Sequence, residues 1–161
     1  LAFGFGGAPA RYCVVQIRGE RMSAAENKKL MQEIMAGLAQ GSRQMYVERL
    51  ADDVIMTVTG EYSWSRTYRG KQSVLHDLYG VVNKMVPPPR KTIPFRILAD
   101  EDWVVVEARG NAARNDGVRY DNHYCLLYRF EGGMIKEIRE YNDSILCERV
   151  LGKYPADRLP A

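Results

Sequence analysis

Residues 120–143 read YDNHYCLLYRFEGGMIKEIREYND. Two extended segments meet at Glu131-Gly132-Gly133, where the glycines supply the positive backbone angles of a tight hairpin. Both segments mix aromatic and β-branched residues with polar ones, and neither keeps one clean apolar face. Such a strand pair can line a cavity with apolar surface and reactive groups together.

Upstream, Ser23-Ala24-Ala25-Glu26 forms a capping box, with the serine and glutamate each answering an orphan backbone amide. Leu30, Met31, Ile34, Met35 and Leu38 then recur on one helical face. Gly41 ends this helix, Ser42 is placed to cap a second, and Met45, Tyr46 and Leu50 repeat the pattern more weakly. Asp52-Asp53 closes the second helix, and the β-branched content of 54–59 predicts a strand. The segment GEYSWSRTYRG, residues 60–70, is too irregular to assign.

Val74, Leu75, Leu78, Val81, Val82 and Met85 restore the helical period until Pro87-Pro88-Pro89 stops it. Strands are expected over 91–99, 103–109, 118–130 and 134–142. Asp143 is read as the N-cap of a short last helix. Helices gathered before a run of strands predict an α+β domain, a long curved sheet wrapped over three helices. Those two layers leave a hollow between them.

A chain of 161 residues is long enough for one domain with a real core. The formal charge of +3 is spread among interspersed acids and bases, so neither nucleic acid nor an anionic membrane is the expected partner. No apolar run approaches the roughly 18 residues of a membrane span. Cys13, Cys125 and Cys147 are odd in number and widely spaced, which argues against a disulfide framework and for a reducing, cytoplasmic compartment. No metal-ligand spacing and no glycine-rich phosphate loop is present, and no metal or cofactor is expected. The opening LAFGFGGAPA resembles the end of a signal peptide but is short and lacks a basic start. Met22, directly before the capping box, is the alternative natural start, and both readings stay open. Residues 1–22 are therefore set aside as an N-terminal extension, 23–152 as the domain and 153–161 as a C-terminal tail.

Leu50-Ala51-Asp52-Asp53, Tyr68-Arg69-Gly70-Lys71 and the ending GGMIKEIREYND resemble the SnoaL-like branch of the ketosteroid isomerase and nuclear transport factor 2-like superfamily. The resemblance spans residues 26–151. It implies a cone-shaped α+β barrel, three to four helices packed on a curved, mostly antiparallel sheet. It implies a reaction less firmly, because this fold carries many chemistries and also plain binding modules.

By that resemblance, the general base of the isomerases falls on Val58 and their oxyanion hole on Ile34 and Leu126, so that mechanism is unavailable here. The Arg-x-Asp pair of limonene epoxide hydrolases falls on Ala108 and Gly110, and their supporting tyrosine and asparagine fall on Met56 and Val58. One acid matches: Glu140, in the last strand, where relatives place a proton donor.

Strand parity by itself leaves two faces open, one with Ile138, Glu140 and Asn142, the other with Arg139, Tyr141 and Asp143. The resemblance implies that the first faces inward, with Asn122, Tyr124 and Leu126 of the paired strand. An acid in an apolar cavity has its charged form disfavoured, which suits it to acid–base work. Glu140 and Tyr124 are therefore the catalytic candidates. Asn122, Asn142, Leu126, Ile138, Met56, Val58, Met85 and Trp64 are the candidates for substrate contact, with loop anchoring the plainer role for Trp64. His76 and His123 are expected to face away from the cavity.

The expected activity is that of a small cofactor-independent isomerase, cyclase, dehydratase or hydrolase acting on a hydrophobic small molecule. A non-catalytic ligand-binding or protein-association module is the alternative. Cys125, Leu127 and Glu107 on the outer sheet face suggest a homodimer.

Overall fold

A computed structural model describes residues 21–155. The extension set aside at 1–22 lies outside the described residues except for its last two, of which Arg21 pairs with Asp102 at 2.7 Å. Helix α1 (Ala24–Ala39) starts on the capping box, with the Ser23 hydroxyl accepting from the Glu26 amide and the Glu26 carboxylate accepting from the Ser23 amide. It buries Met31, Ile34, Met35 and Leu38 against the sheet.

Helix α2 (Gln44–Arg49) is shorter than the pattern suggested. Its N-cap is Arg43, and no side chain caps it, so the capping role expected of Ser42 is not realised. Strand β1 (Leu50–Val58) takes in Leu50 and the Asp52-Asp53 pair that had been assigned to the helix. An irregularity between Leu50 and Ile55 interrupts the regular pairing there. The two aspartates point out to solvent, where Asp53 meets Lys136.

The unassigned segment contains a four-residue strand, β2 (Arg66–Arg69), paired antiparallel with β1. One continuous helical stretch follows, comprising α3 (Lys71–Ser73), a π-helical segment (Val74–Tyr79) and α4 (Gly80–Met85). Strands β3 (Lys91–Asp100), β4 (Trp103–Asn111), β5 (His123–Glu131) and β6 (Met134–Asn142) run antiparallel in succession, and α5 (Ser144–Leu151) completes the domain. Asp143 caps α5 by accepting from the Leu146 amide. β5 starts at His123 and not at Val118, because residues 118–122 pair irregularly with 110–113, through an isolated bridge between Ala113 and Arg119 and the bonds Tyr120 amide to Ala112 carbonyl and Gly110 amide to Asn122 carbonyl.

The sheet order is β2-β1-β6-β5-β4-β3, with β1 and β6 parallel and every other pair antiparallel. This is the expected α+β architecture with a curled sheet, left open because its edges β2 and β3 do not pair. Gly132 and Gly133, at φ of 56° and 76°, make the β5–β6 turn in the left-handed region, as the hairpin reading required. β6 thus lies inside the sheet between β1 and β5, and its inward residues face the middle of the hollow. Residue 154, placed in a tail by the sequence, packs into the domain: Tyr154 is buried and its ring meets Trp64 edge-on at 5.0 Å. No described helix is long and apolar enough to cross a membrane.

Candidate functional site

The hollow between sheet and helices contains a cavity of about 110 Å³. Glu140 reaches it because alternation along β6 turns Ile138, Glu140 and Asn142 to the same side. Across the ladder, Glu140 sits between Val58 of β1 and Leu126 of β5. Its backbone carbonyl accepts from both the amide and the hydroxyl of Thr59, each at 2.9 Å, which fixes where the side chain departs.

The carboxyl belongs to a short polar chain. Asn142 Nδ2 donates to Glu140 Oε1 at 2.8 Å, and Asn142 Oδ1 accepts from the Tyr62 hydroxyl at 2.9 Å. No described lysine, arginine or histidine lies within 4.0 Å of the Glu140 carboxyl. Burial in this apolar setting pushes its pKa above the ordinary glutamate range. The Asn142 hydrogen bond and the more distant positive charges of Arg43 and Arg90 offset that only in part.

Six tyrosines stand in the wall: Tyr46, Tyr62, Tyr79, Tyr120, Tyr124 and Tyr128. Burial raises all six above the usual phenol value, so each remains a protonated donor near neutrality. Tyr46 and Tyr79 hydrogen-bond hydroxyl to hydroxyl at 2.7 Å. Cys147 also lines the cavity, its thiol pushed up to about 11 by burial, which leaves it protonated and a poor nucleophile.

Of the residues expected at the site, Glu140, Tyr124, Asn142, Leu126, Ile138, Met56, Val58 and Trp64 line this one cavity. Trp64 combines wall and anchor, since its Nε1 donates to the Gly152 carbonyl at 2.8 Å. Two others are elsewhere. Met85 packs on the core outside the wall, where Leu78, Tyr79 and Val82 take its place. Asn122 is fully buried, but its amide is already engaged: it accepts from the Asp143 amide and donates to the Asp143 carbonyl and the Tyr120 hydroxyl. It is a brace between the start of β5 and the start of α5. His76 and His123 are exposed.

The sequence reading missed Arg43, Arg90, Tyr46, Tyr79 and Tyr120. They come from a helix start, a proline-rich connection, a weak helix, the π-helical segment and the connection before β5; Tyr46 was read only as part of a weak apolar stripe, and the other four stand off the apolar pattern of their segments. Among the described residues no group of three His, Cys, Asp or Glu side chains converges as a metal site would. The arrangement can hold a small molecule and exchange one proton with it through Glu140.

The profile of the SnoaL-like domain matches residues 31–138. No curated protein matches the sequence. Among solved structures, one provisionally assigned as a SnoaL-like polyketide cyclase from Jannaschia sp. CCS1 superposes with a TM-score of 0.66 at 15% identity, covering 82% of this chain and 95% of its own. An NTF2-like protein from Burkholderia xenovorans LB400 gives 0.62 at 20% identity, covering 81% and 98%. TerC, co-crystallized with polyporic acid, gives 0.64 at 15% identity, covering 78% and 97%. At these identities the structures establish the shared fold, while the profile extends over more than half of the sequence, from α1 into β6. The chain belongs to the SnoaL-like domain family.

Proposed function

We propose that the chain is a small enzyme performing acid–base chemistry, of the isomerase, cyclase, dehydratase or hydrolase kind, on a hydrophobic molecule held in the cavity. One observation carries this reading: Glu140 is a half-buried carboxyl facing the cavity, hydrogen-bonded by Asn142 and without an ion-pair partner among the described residues. A structural acid is ordinarily satisfied by a cation or by several donors. This one keeps an oxygen available and stays protonated over a wider pH range than an ordinary glutamate.

In the proposed reaction, protonated Glu140 delivers its proton to a carbonyl, hydroxyl or ether oxygen of the substrate and recovers one in a later step. Tyr124, a phenol in the same wall, donates a hydrogen bond that orients the reacting oxygen. Asn142 is a positioning residue, holding Glu140 Oε1 so that the other oxygen faces the substrate. The co-crystallization of TerC with polyporic acid supports a small organic molecule as the occupant. The apolar outer sheet face supports a homodimer.

The test uses small cyclic ketones in D2O, with deuterium uptake next to the carbonyl followed by NMR. Wild-type protein should accelerate exchange, and Glu140→Gln should lose roughly 10²- to 10⁴-fold of that acceleration with an unchanged circular dichroism spectrum. Full activity in the glutamine variant rules out Glu140 as the acid.

A binding module without chemistry is the second reading, favoured by Val58, Leu126, Ala108 and Gly110 standing where relatives are expected to carry reactive side chains. Ligand affinity separates the two. Dependence on a group titrating near neutrality supports the enzyme, and flat affinity from about pH 5 to 8 supports the module.

A further inference from the structure

Three cations, Arg43, Arg90 and Lys91, stand in the cavity wall, and none has a counter-charge among the described residues. Arg43 and Arg90 both line the cavity, and no described carboxylate lies within 4.0 Å of either guanidinium. Arg90 Nη2 is buried with no hydrogen-bond partner. A buried guanidinium nitrogen normally finds an acceptor, because a charged donor left unpaired away from water has lost its hydration without replacement. Arg43 is held over the Tyr79 ring with Cζ 4.1 Å from its centroid, and it also faces Tyr46 at 5.7 Å. That stacking positions Arg43 without using its N–H donors. Burial first, and then the like charge of Arg43, disfavours the charged form of Arg90, and the neighbouring tyrosines Tyr124, Tyr79 and Tyr120 oppose that only in part.

Glu140 is the acid of the cavity wall, and it is engaged with Asn142 instead of with either arginine. The wall is therefore polarised. One part carries Glu140 among Val58, Leu126 and Ile138, and another carries Arg43, Arg90 and Lys91.

We propose that the cavity's ligand is a small apolar acid whose carboxylate, or an equivalent enolate, is taken up by Arg90 and Arg43 while its hydrophobic body lies against Glu140. A planar guanidinium suits such an anion through paired N–H donors. An anion there satisfies Arg90 Nη2 and removes the repulsion between the two arginines. This rests on the cavity being a small-molecule site and deepens that reading by naming the class of molecule.

The size of the cavity sets the probes. At about 110 Å³ it is smaller than the ~150 Å³ that accepts benzene, so the probes carry no more than one ring, with the polar group left toward the arginines. Benzoate and benzamide have nearly the same shape and differ in charge. Their affinities are measured by NMR titration on wild type, Arg90→Gln, Arg43→Gln, Arg90→Lys and Glu140→Gln.

Wild type should prefer benzoate by roughly tenfold or more. Each arginine-to-glutamine change should reduce that preference, Arg90→Lys should restore part of it by returning the charge, and Glu140→Gln should keep it. The last variant separates this proposal from catalysis, because an anion site survives there even if Glu140 turns out to have no reactive role. Equal affinity of the two probes in wild type, no detectable benzoate binding, or a preference that survives both glutamine variants overturns the proposal. Inorganic phosphate binding as tightly as benzoate overturns it too, since that ion has no apolar body.

Discussion

Glu140 is flanked in register by Val58 and Leu126 and receives one hydrogen bond from Asn142. Its pKa is raised by burial, and the sign of the linked stability follows. Below the unfolded-state value, glutamate is protonated in both states and the fold has its full stability. As pH rises through the folded-state value, the unfolded chain has already ionised while the folded chain must place a charge among apolar groups, so stability is lost. Denaturation midpoints across a pH series should therefore fall in wild type relative to Glu140→Gln as the medium becomes more alkaline. A constant difference between the two proteins would place Glu140 in contact with water. Asn142→Leu should move the activity profile of the proposed enzyme to higher pH, because its hydrogen bond lowers the Glu140 pKa. The inward parity of Glu140 was legible only through the ending GGMIKEIREYND, since both faces of that strand mix charge and apolar groups. Arg43 and Arg90 were not legible, because each lies just outside a periodic segment.

At the level of elements, most of the fold follows local rules. The capping box, the 3.6-residue stripe of α1, the double-glycine hairpin and the Asp143 cap are all where their chemistry requires. β2 was not legible, since Arg66–Arg69 is short and extended only because β1 offers it partners. The π-helical segment was hidden too, because widening the helix does not interrupt an apolar pattern. It nevertheless turns Leu78 and Tyr79, adjacent in sequence, to the same cavity.

Asn122 joins the elements at the far end of the cavity. Replacing it by alanine leaves both backbone groups of Asp143 without these partners and should destabilise the domain by about 2–3 kcal/mol in chemical denaturation. Gly110 is a second junction. A Cβ there would stand 3.2 Å from both the Asn122 amide nitrogen and the Tyr120 carbonyl oxygen. Gly110→Ala should therefore cost about 1–3 kcal/mol, because backbone on both sides must shift.

At the scale of the molecule, the sheet has one covered and one bare face. The bare face exposes Phe95 at 62%, Leu98 at 55% and Tyr141 at 48%. An apolar patch of this kind is costly to leave in water, and a second copy of the chain is the proposed cover. Sedimentation velocity should find a dimer for wild type and a monomer for Leu98→Arg, whose charge would be buried against its symmetry mate. A monomeric wild type would reject the dimer. Order of synthesis gives the parallel β1–β6 pair another meaning. Thr59 is bonded to Glu140, 81 residues later, and β6 fills the gap between β1 and β5. A nascent chain leaving the ribosome has its edge strands long before its central one. The proposed site is therefore completed only when β6 docks, because the strand that joins the two parts of the sheet also delivers Glu140.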